Sequence, residues 1–194
     1  MRGGASSAAA ARSRVYGLLA GGFHYPNAAA FAAARSGALA TALGEAAAQL
    51  RRRPSPWLLR ALSRPGGSLA DMRAAHLRFE ETCPPYEGHY LPASKRGPLL
   101  GELKAFYGHF GLAMAAGGEL EDHLTGELEF LHALAHLQAE GGMAGIARAQ
   151  REFLDRHPRR WLPACAAAAR TGLPPGFYRA LIEMTARLVA VDRV

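Results

Sequence analysis

At 194 residues, with 49% hydrophobic and 20% charged content, the chain is long enough to bury one real core, or two small ones at most, and carries none of the bias of a fibrous or disordered protein. It holds no uncharged apolar run of about 18 residues, which excludes a transmembrane helix. Its two cysteines, Cys83 and Cys165, are too few for a disulfide framework and lack the CxxC spacing of a zinc or redox site. The net charge of +7 is uneven: residues 80–140 hold ten acids and three bases, a net −7, within a remainder at +14. That is an acidic middle suited to a cationic partner, unlike the uniformly basic surface of a nucleic-acid or membrane binder.

In chain order the sequence reads as helices punctuated by Gly and Pro. Residues 1–11 are expected to form a flexible tail running into a first helix from about Ala8 to Ala20, closed by Gly21-Gly22. Arg12 and Arg14 interrupt the early apolar stretch, so it does not read as a signal peptide, and the chain is placed in the cytoplasm. A long Ala-rich helix from Asn27, its N-cap, to Arg52 follows, then a short helix in "PSPWLLRALSRPGG". Ser68 caps "LADMRAAHLRFEE", with Asp71 in the favourable first turn. Residues 82–98 carry four prolines and two glycines and read as an irregular loop of functional length. Helix resumes in "LLGELKAFYGHFGLAMA" and breaks at Gly117-Gly118. A helix of about twenty residues then runs to Gly141-Gly142. Three more helices begin near Met143, Pro158 and Pro174, the prolines being welcome in a first turn. Nothing alternates with the period of a strand. The expected fold is all-α: a single globular bundle of about eight or more helices, with residues 12–194 forming one domain.

The stretch "ELEDHLTGELEFLHALAHLQAE" (119–140) carries the densest charge. At ~100° per residue, Leu120, Leu124, Leu128, Leu131, Leu134 and Ala135 share a core face. Asp122, Gly126, Glu129, Ala133, His136 and Glu140 line the opposite stripe. A mid-helix glycine costs roughly 0.5–1 kcal/mol against alanine, so Gly126 predicts a close neighbour. Glu127 projects toward the core edge, where a carboxylate needs a partner. His132 and His136 have metal-ligand spacing, with Glu129 one turn earlier. However, HExxH is absent and no further ligands follow, so no metal site and no cofactor are expected. There is no GxSxG, no phosphate-binding glycine loop and no histidine placed beside a cysteine, so the chain does not read as an enzyme.

Several segments together resemble the TorD-type maturation chaperones of molybdoenzymes, with their DmsD-like and NarJ-like relatives. The resemblance covers about residues 12–190. "RVYGLLAGGFHYP" is similar to the family's opening helix, "CPPYEGHYLP" to its Tyr-Glu loop and "LKAFYGHFGL" to the helix that follows. The family pattern Pro-Asp-His-Leu then Glu-Leu-x-Phe-Leu is matched by Asp122, His123, Leu124, Glu127, Leu128, Phe130 and Leu131, with Glu121 where proline is usual. "FLDRHPRRWLPACAAA" looks like the late segment.

The resemblance implies a TorD-like all-helical cytoplasmic chaperone that binds the immature catalytic subunit of a molybdopterin-dependent oxidoreductase, assists cofactor insertion, and recognises its twin-arginine signal peptide before export. It places the recognition centre at Asp122 and His123, supported by Glu127, facing a loop carrying Tyr86, Glu87 and Tyr90. Trp57 is a further aromatic suited to peptide contact because it offers area with little entropy to lose. Monomer and domain-swapped dimer are both open. The alternative reading is a basic helical nucleic-acid-binding regulator using Arg51-Arg52-Arg53 and Arg159-Arg160.

Overall fold

In the computed structural model, residues 2–115, 118–142 and 144–194 are described. They form ten α-helices with no strand among them: α1 (Arg2–Phe23), α2 (Ala28–Arg35), α3 (Ala38–Gln49), α4 (Pro56–Leu62), α5 (Leu69–Thr82), α6 (Ala93–His109), α7 (Leu124–Ala139), α8 (Ile146–Arg156), α9 (Pro158–Gly172) and α10 (Phe177–Val191). One 3-10 turn, Glu87–Tyr90, lies between α5 and α6. The all-α class is as the sequence predicts, and a single core cluster runs from Val15 to Val189.

Long α1 lies along α7, its most extensive partner, and also meets α3. α10 packs on α9 and α4, and α8 bridges α7 and α9. α7 is therefore central. Its first turns, Leu124 through Leu128, are buried on every side, so the wheel's division into core and polar faces fails there. The segment after α10 is tied back to α1: Arg12 Nε reaches both Asp192 oxygens at 3.0 Å, and the Tyr16 hydroxyl donates to Asp192 at 2.6 Å. Burial and the Asp192 charge push the Tyr16 phenol well up, which keeps it a donor.

The local signals that rest on side-chain chemistry appear where expected. Asn27 accepts from Ala30 N, Ser68 accepts from Asp71 N, and Pro158 opens α9. Boundaries differ elsewhere. The predicted flexible tail is helical from Arg2, because its alanine run favours helix and Ala9 and Ala11 are buried. The predicted helix 27–52 is two helices, since Gly37 turns left-handed at φ 78°. α6 begins inside the predicted loop and contains Pro98, tolerated because residues 92–98 are exposed and water can serve the carbonyl it leaves without a donor. α10 starts at Phe177, past Pro174. Gly117 and Met143, predicted to mark a break and a helix start, lie outside the described residues.

Candidate functional site

The helix predicted from residue 119 begins only at Leu124, and what precedes it pairs with the loop after α5. Tyr86 and His123 form an antiparallel bridge: Leu124 N donates to Pro85 O at 2.8 Å and Glu87 N to Asp122 O at 2.9 Å. His123 thus sits on extended backbone, and Asp122 lies in the turn closed by His123 N donating to Leu120 O at 3.0 Å. His123 is the N-cap of α7, its Nδ1 accepting from Thr125 N at 3.3 Å, with the Thr125 hydroxyl beside the same nitrogen. Helix initiation therefore relies on histidine and does without the family's usual proline. Burial lowers the His123 pKa, in keeping with a neutral ring whose Nδ1 accepts. Its Nε2 is buried without a partner. Asp122 is also buried; Gly88 N donates to its Oδ2 at 3.0 Å, while Oδ1 has no partner. Burial raises the Asp122 pKa against that hydrogen bond.

Beneath the bridge lies a second layer. Glu127 is 0% exposed, and Trp161 Nε1 donates to both its oxygens, at 3.1 and 3.2 Å. Glu87 is buried with its Oε2 2.9 Å from His157 Nδ1. His157 Nε2 in turn lies 3.4 Å from Glu102, which also pairs with Arg156 at the surface. Burial, and then the neighbouring Glu87 carboxylate, push Glu127 well above the ordinary carboxylate range. Tyr90 stacks on Trp161, ring centroids 5.5 Å apart, and its buried hydroxyl has no partner. The loop, α7 and α9 are thus joined by one polar cluster, which the sequence reading missed at His157 and Trp161. In the sequence His157 is an isolated histidine before Pro158 and Trp161 stands only within the late segment that resembles the family.

Of the seven predicted binding residues, Glu87, Asp122, His123 and Glu127 are inside the protein and Tyr86 and Tyr90 are half-buried. Six of them cluster, whereas Trp57, 39% exposed, stands on α4, which packs against α3 and α10. Tyr86 lies edge-on to His123 at 4.8 Å, and its hydroxyl donates to the exposed Glu119. Leu120, predicted on the core face, precedes the helix and is 54% exposed. Gly126 does have a close neighbour: a Cβ there would lie 3.1 Å from Met114. That approach shapes a recess of about 120 Å³ bordered by Leu112, Met114, Gly126, Glu129, Phe130 and Ala133. Three of those residues come from the predicted stripe. Glu129 pairs with His24 at 3.0 Å across the exposed rim.

His132 Nδ1 lies 2.9 Å from both the hydroxyl and the carbonyl of Ser13. No group of three potential metal ligands occurs among the described residues. Cys83 and Cys165 are free and buried.

A family model described as the nitrate reductase delta subunit matches residues 36–167. The chain belongs to that family. Its relatives include the perchlorate reductase assembly chaperone protein of Dechloromonas aromatica (strain RCB), 38% identical over 199 residues that cover 92% of this chain and 87% of the relative. The dimethyl sulfide dehydrogenase assembly chaperone protein of Rhodovulum sulfidophilum is 35% identical over 105 residues, covering 49% of this chain and 42% of that protein. The selenate reductase assembly chaperone protein of Thauera selenatis is 40% identical over 84 residues, covering 40% and 44%. These relatives are assembly chaperones, not catalysts. The span matched by the delta-subunit family contains the Tyr86–His123 bridge, Glu127, His157 and Trp161; α1 and α10 lie outside it.

Proposed function

We infer that this protein is a cytoplasmic assembly chaperone for the catalytic subunit of a molybdopterin-dependent oxidoreductase, holding the immature subunit for cofactor insertion and engaging its twin-arginine signal peptide before export. The observation that carries the reading is the alignment with a reductase assembly chaperone across 92% of the chain. None of the described helices is long and apolar enough to cross a membrane, which suits a protein that acts before its client leaves.

Support for a signal-peptide surface comes from the rim above the buried cluster. Exposed Glu119 and Glu129 stand beside exposed Leu112 and Leu120 and the recess at Gly126. A cationic segment followed by an apolar one matches that sequence of surfaces. In this reading Tyr86 and Tyr90 touch the peptide, and Trp57 extends contact to the mature subunit. Asp122, His123, Glu87 and Glu127 position the loop from below.

The test is co-expression with the catalytic subunit of a molybdopterin-dependent oxidoreductase from the same organism, with and without its signal peptide. Recovery of a chaperone–subunit complex that loses affinity when the signal is removed supports the reading. Normal client maturation in a strain lacking the chaperone overturns it. For the site, Tyr86→Ala combined with Glu119→Gln is expected to weaken signal-peptide binding about tenfold while the protein melts normally; wild-type binding by that variant overturns the rim.

A further inference from the structure

A second concavity lies between the α3–α4 connection and α10, built from residues the proposed function leaves unused. It measures about 480 Å³ and brings the side chains of Arg51, Arg52, Arg53 and Arg187 around a floor that includes Leu58, Met184 and Leu188. Among the described residues, no acidic and no aromatic side chain lines it.

The backbone builds this arrangement at some strain. Arg51 is the one non-glycine residue with a left-handed φ, 56°, among the described residues. The turn it makes ends α3, with Arg51 N and Arg52 N bonding back to Ala48 O and Ala47 O, and presents three successive arginines to one recess. Arg52 is anchored, its Nη2 donating to Val191 O at 3.1 Å. Arg187 is 3.7 Å from Glu183. Arg51 and Arg53 are exposed, and neither is in an ion pair among the described residues. Ser55, also in the lining, has a buried hydroxyl without a hydrogen-bond partner. Arg51 and Arg53, side by side at the hollow without a carboxylate partner among the described residues, favour the entry of an anion. Guanidinium forks suit carboxylates in particular, taking them two bonds at a time.

We propose that this arginine-rimmed recess docks an acidic segment of a partner polypeptide, its carboxylates on the guanidinium groups and one apolar side chain on the floor between them. The apolar floor argues against a compact inorganic anion, which would leave it wet. The lack of any aromatic platform argues against a nucleotide base, and a concave site fits a single chain better than a lipid plane.

The experiment is selection of a displayed random nonapeptide library against the intact protein, counter-selected on the Arg51→Glu/Arg53→Glu variant after a thermal melt shows that variant folded. The expected result is enrichment of peptides with several Asp or Glu residues around at least one Leu, Ile or Phe. By fluorescence anisotropy, an enriched peptide should bind about tenfold or more weakly to both Arg51→Glu/Arg53→Glu and Arg187→Glu, weaken as salt rises, and lose comparable affinity when its apolar residue becomes Ser. Enrichment of no acidic peptide, or binding indifferent to the charge reversals or to the apolar residue, overturns the proposal. So does displacement of the peptide by equimolar pyrophosphate or by phosphatidylglycerol vesicles, which would identify a phosphate ligand or a membrane as the occupant.

Discussion

Glu127 and Glu129 stand two residues apart on α7 and occupy opposite environments. Glu127 is enclosed and bonded to Trp161; the Glu129 side chain is 52% exposed and paired with His24. Their pKa values move in opposite directions: burial raises Glu127, while the hydrogen bond from His24 lowers Glu129. The same division runs through the whole acidic middle. Glu87, Asp122 and Glu127 turn inward and serve as struts, whereas Glu119 and Glu129 face solvent and are available to a cationic partner. Acid density along a chain therefore overstates the charge its surface presents, and the two groups should respond differently to perturbation.

The inner group should show the largest effect. Trp161→Ala removes a fully buried indole and strands the Glu127 carboxyl, and is expected to cost about 3–5 kcal/mol in urea unfolding. Trp161→Phe keeps most of the volume and isolates the lost N–H at about 1–3 kcal/mol. A loss under ~1 kcal/mol for the alanine variant would mean that the cluster does not hold α7 to α9.

Next is a pH signature. The folded pKa of Glu127 is raised above its unfolded value, so its contribution to stability is complete below the unfolded carboxyl range and is lost as pH rises through the folded value. Asp122, also raised, acts with the same sign. Glu127→Gln preserves an acceptor for Trp161 and cannot ionise. Its stability should fall less steeply than wild type as pH rises above the unfolded carboxyl range. Parallel stability–pH curves for the two proteins would sink the claim that burial raises the Glu127 carboxyl.

The outer pair should matter less. With His24 raised and Glu129 lowered, their mutual stabilisation is present between the two folded values. It is lost as pH rises through that of His24 or falls through that of Glu129. Because both side chains are more than half exposed, His24→Ala is expected to change stability by no more than about 0.5 kcal/mol. Smallest of all, Leu120→Ser should leave the melting temperature essentially unchanged, since that side chain is already 54% exposed, yet weaken binding of a twin-arginine signal peptide. A variant that melts early would show Leu120 to be structural, which would erase the distinction between rim and interior.

Much of the architecture was legible in local chemistry. The caps at Asn27 and Ser68 and the first-turn proline at 158 depend on groups within four residues of one another, and all three form. The unusual glycine at 126 announced a close neighbour, although only the fold identifies it as Met114. The order of motifs pointed to the chaperone family. Where the reading failed, distant packing had intervened. Continuing the helical wheel upstream to residue 119 put Leu120 in the core and Asp122 on a polar stripe. In fact the chain there pairs with the loop at Tyr86, so helical periodicity does not apply until Leu124.

What the amino-acid order determined on its own is the class of element at each position and the company its motifs keep, because hydrogen-bond caps, alanine propensity and apolar periodicity act over a turn or two. What only the tertiary structure decided is which acids are interior. A carboxyl group tolerates burial when a donor meets it there. The donors for Glu127 and Glu87, on Trp161 and His157, arrive from 34 and 70 residues away, through the packing of α9 against the loop and α7.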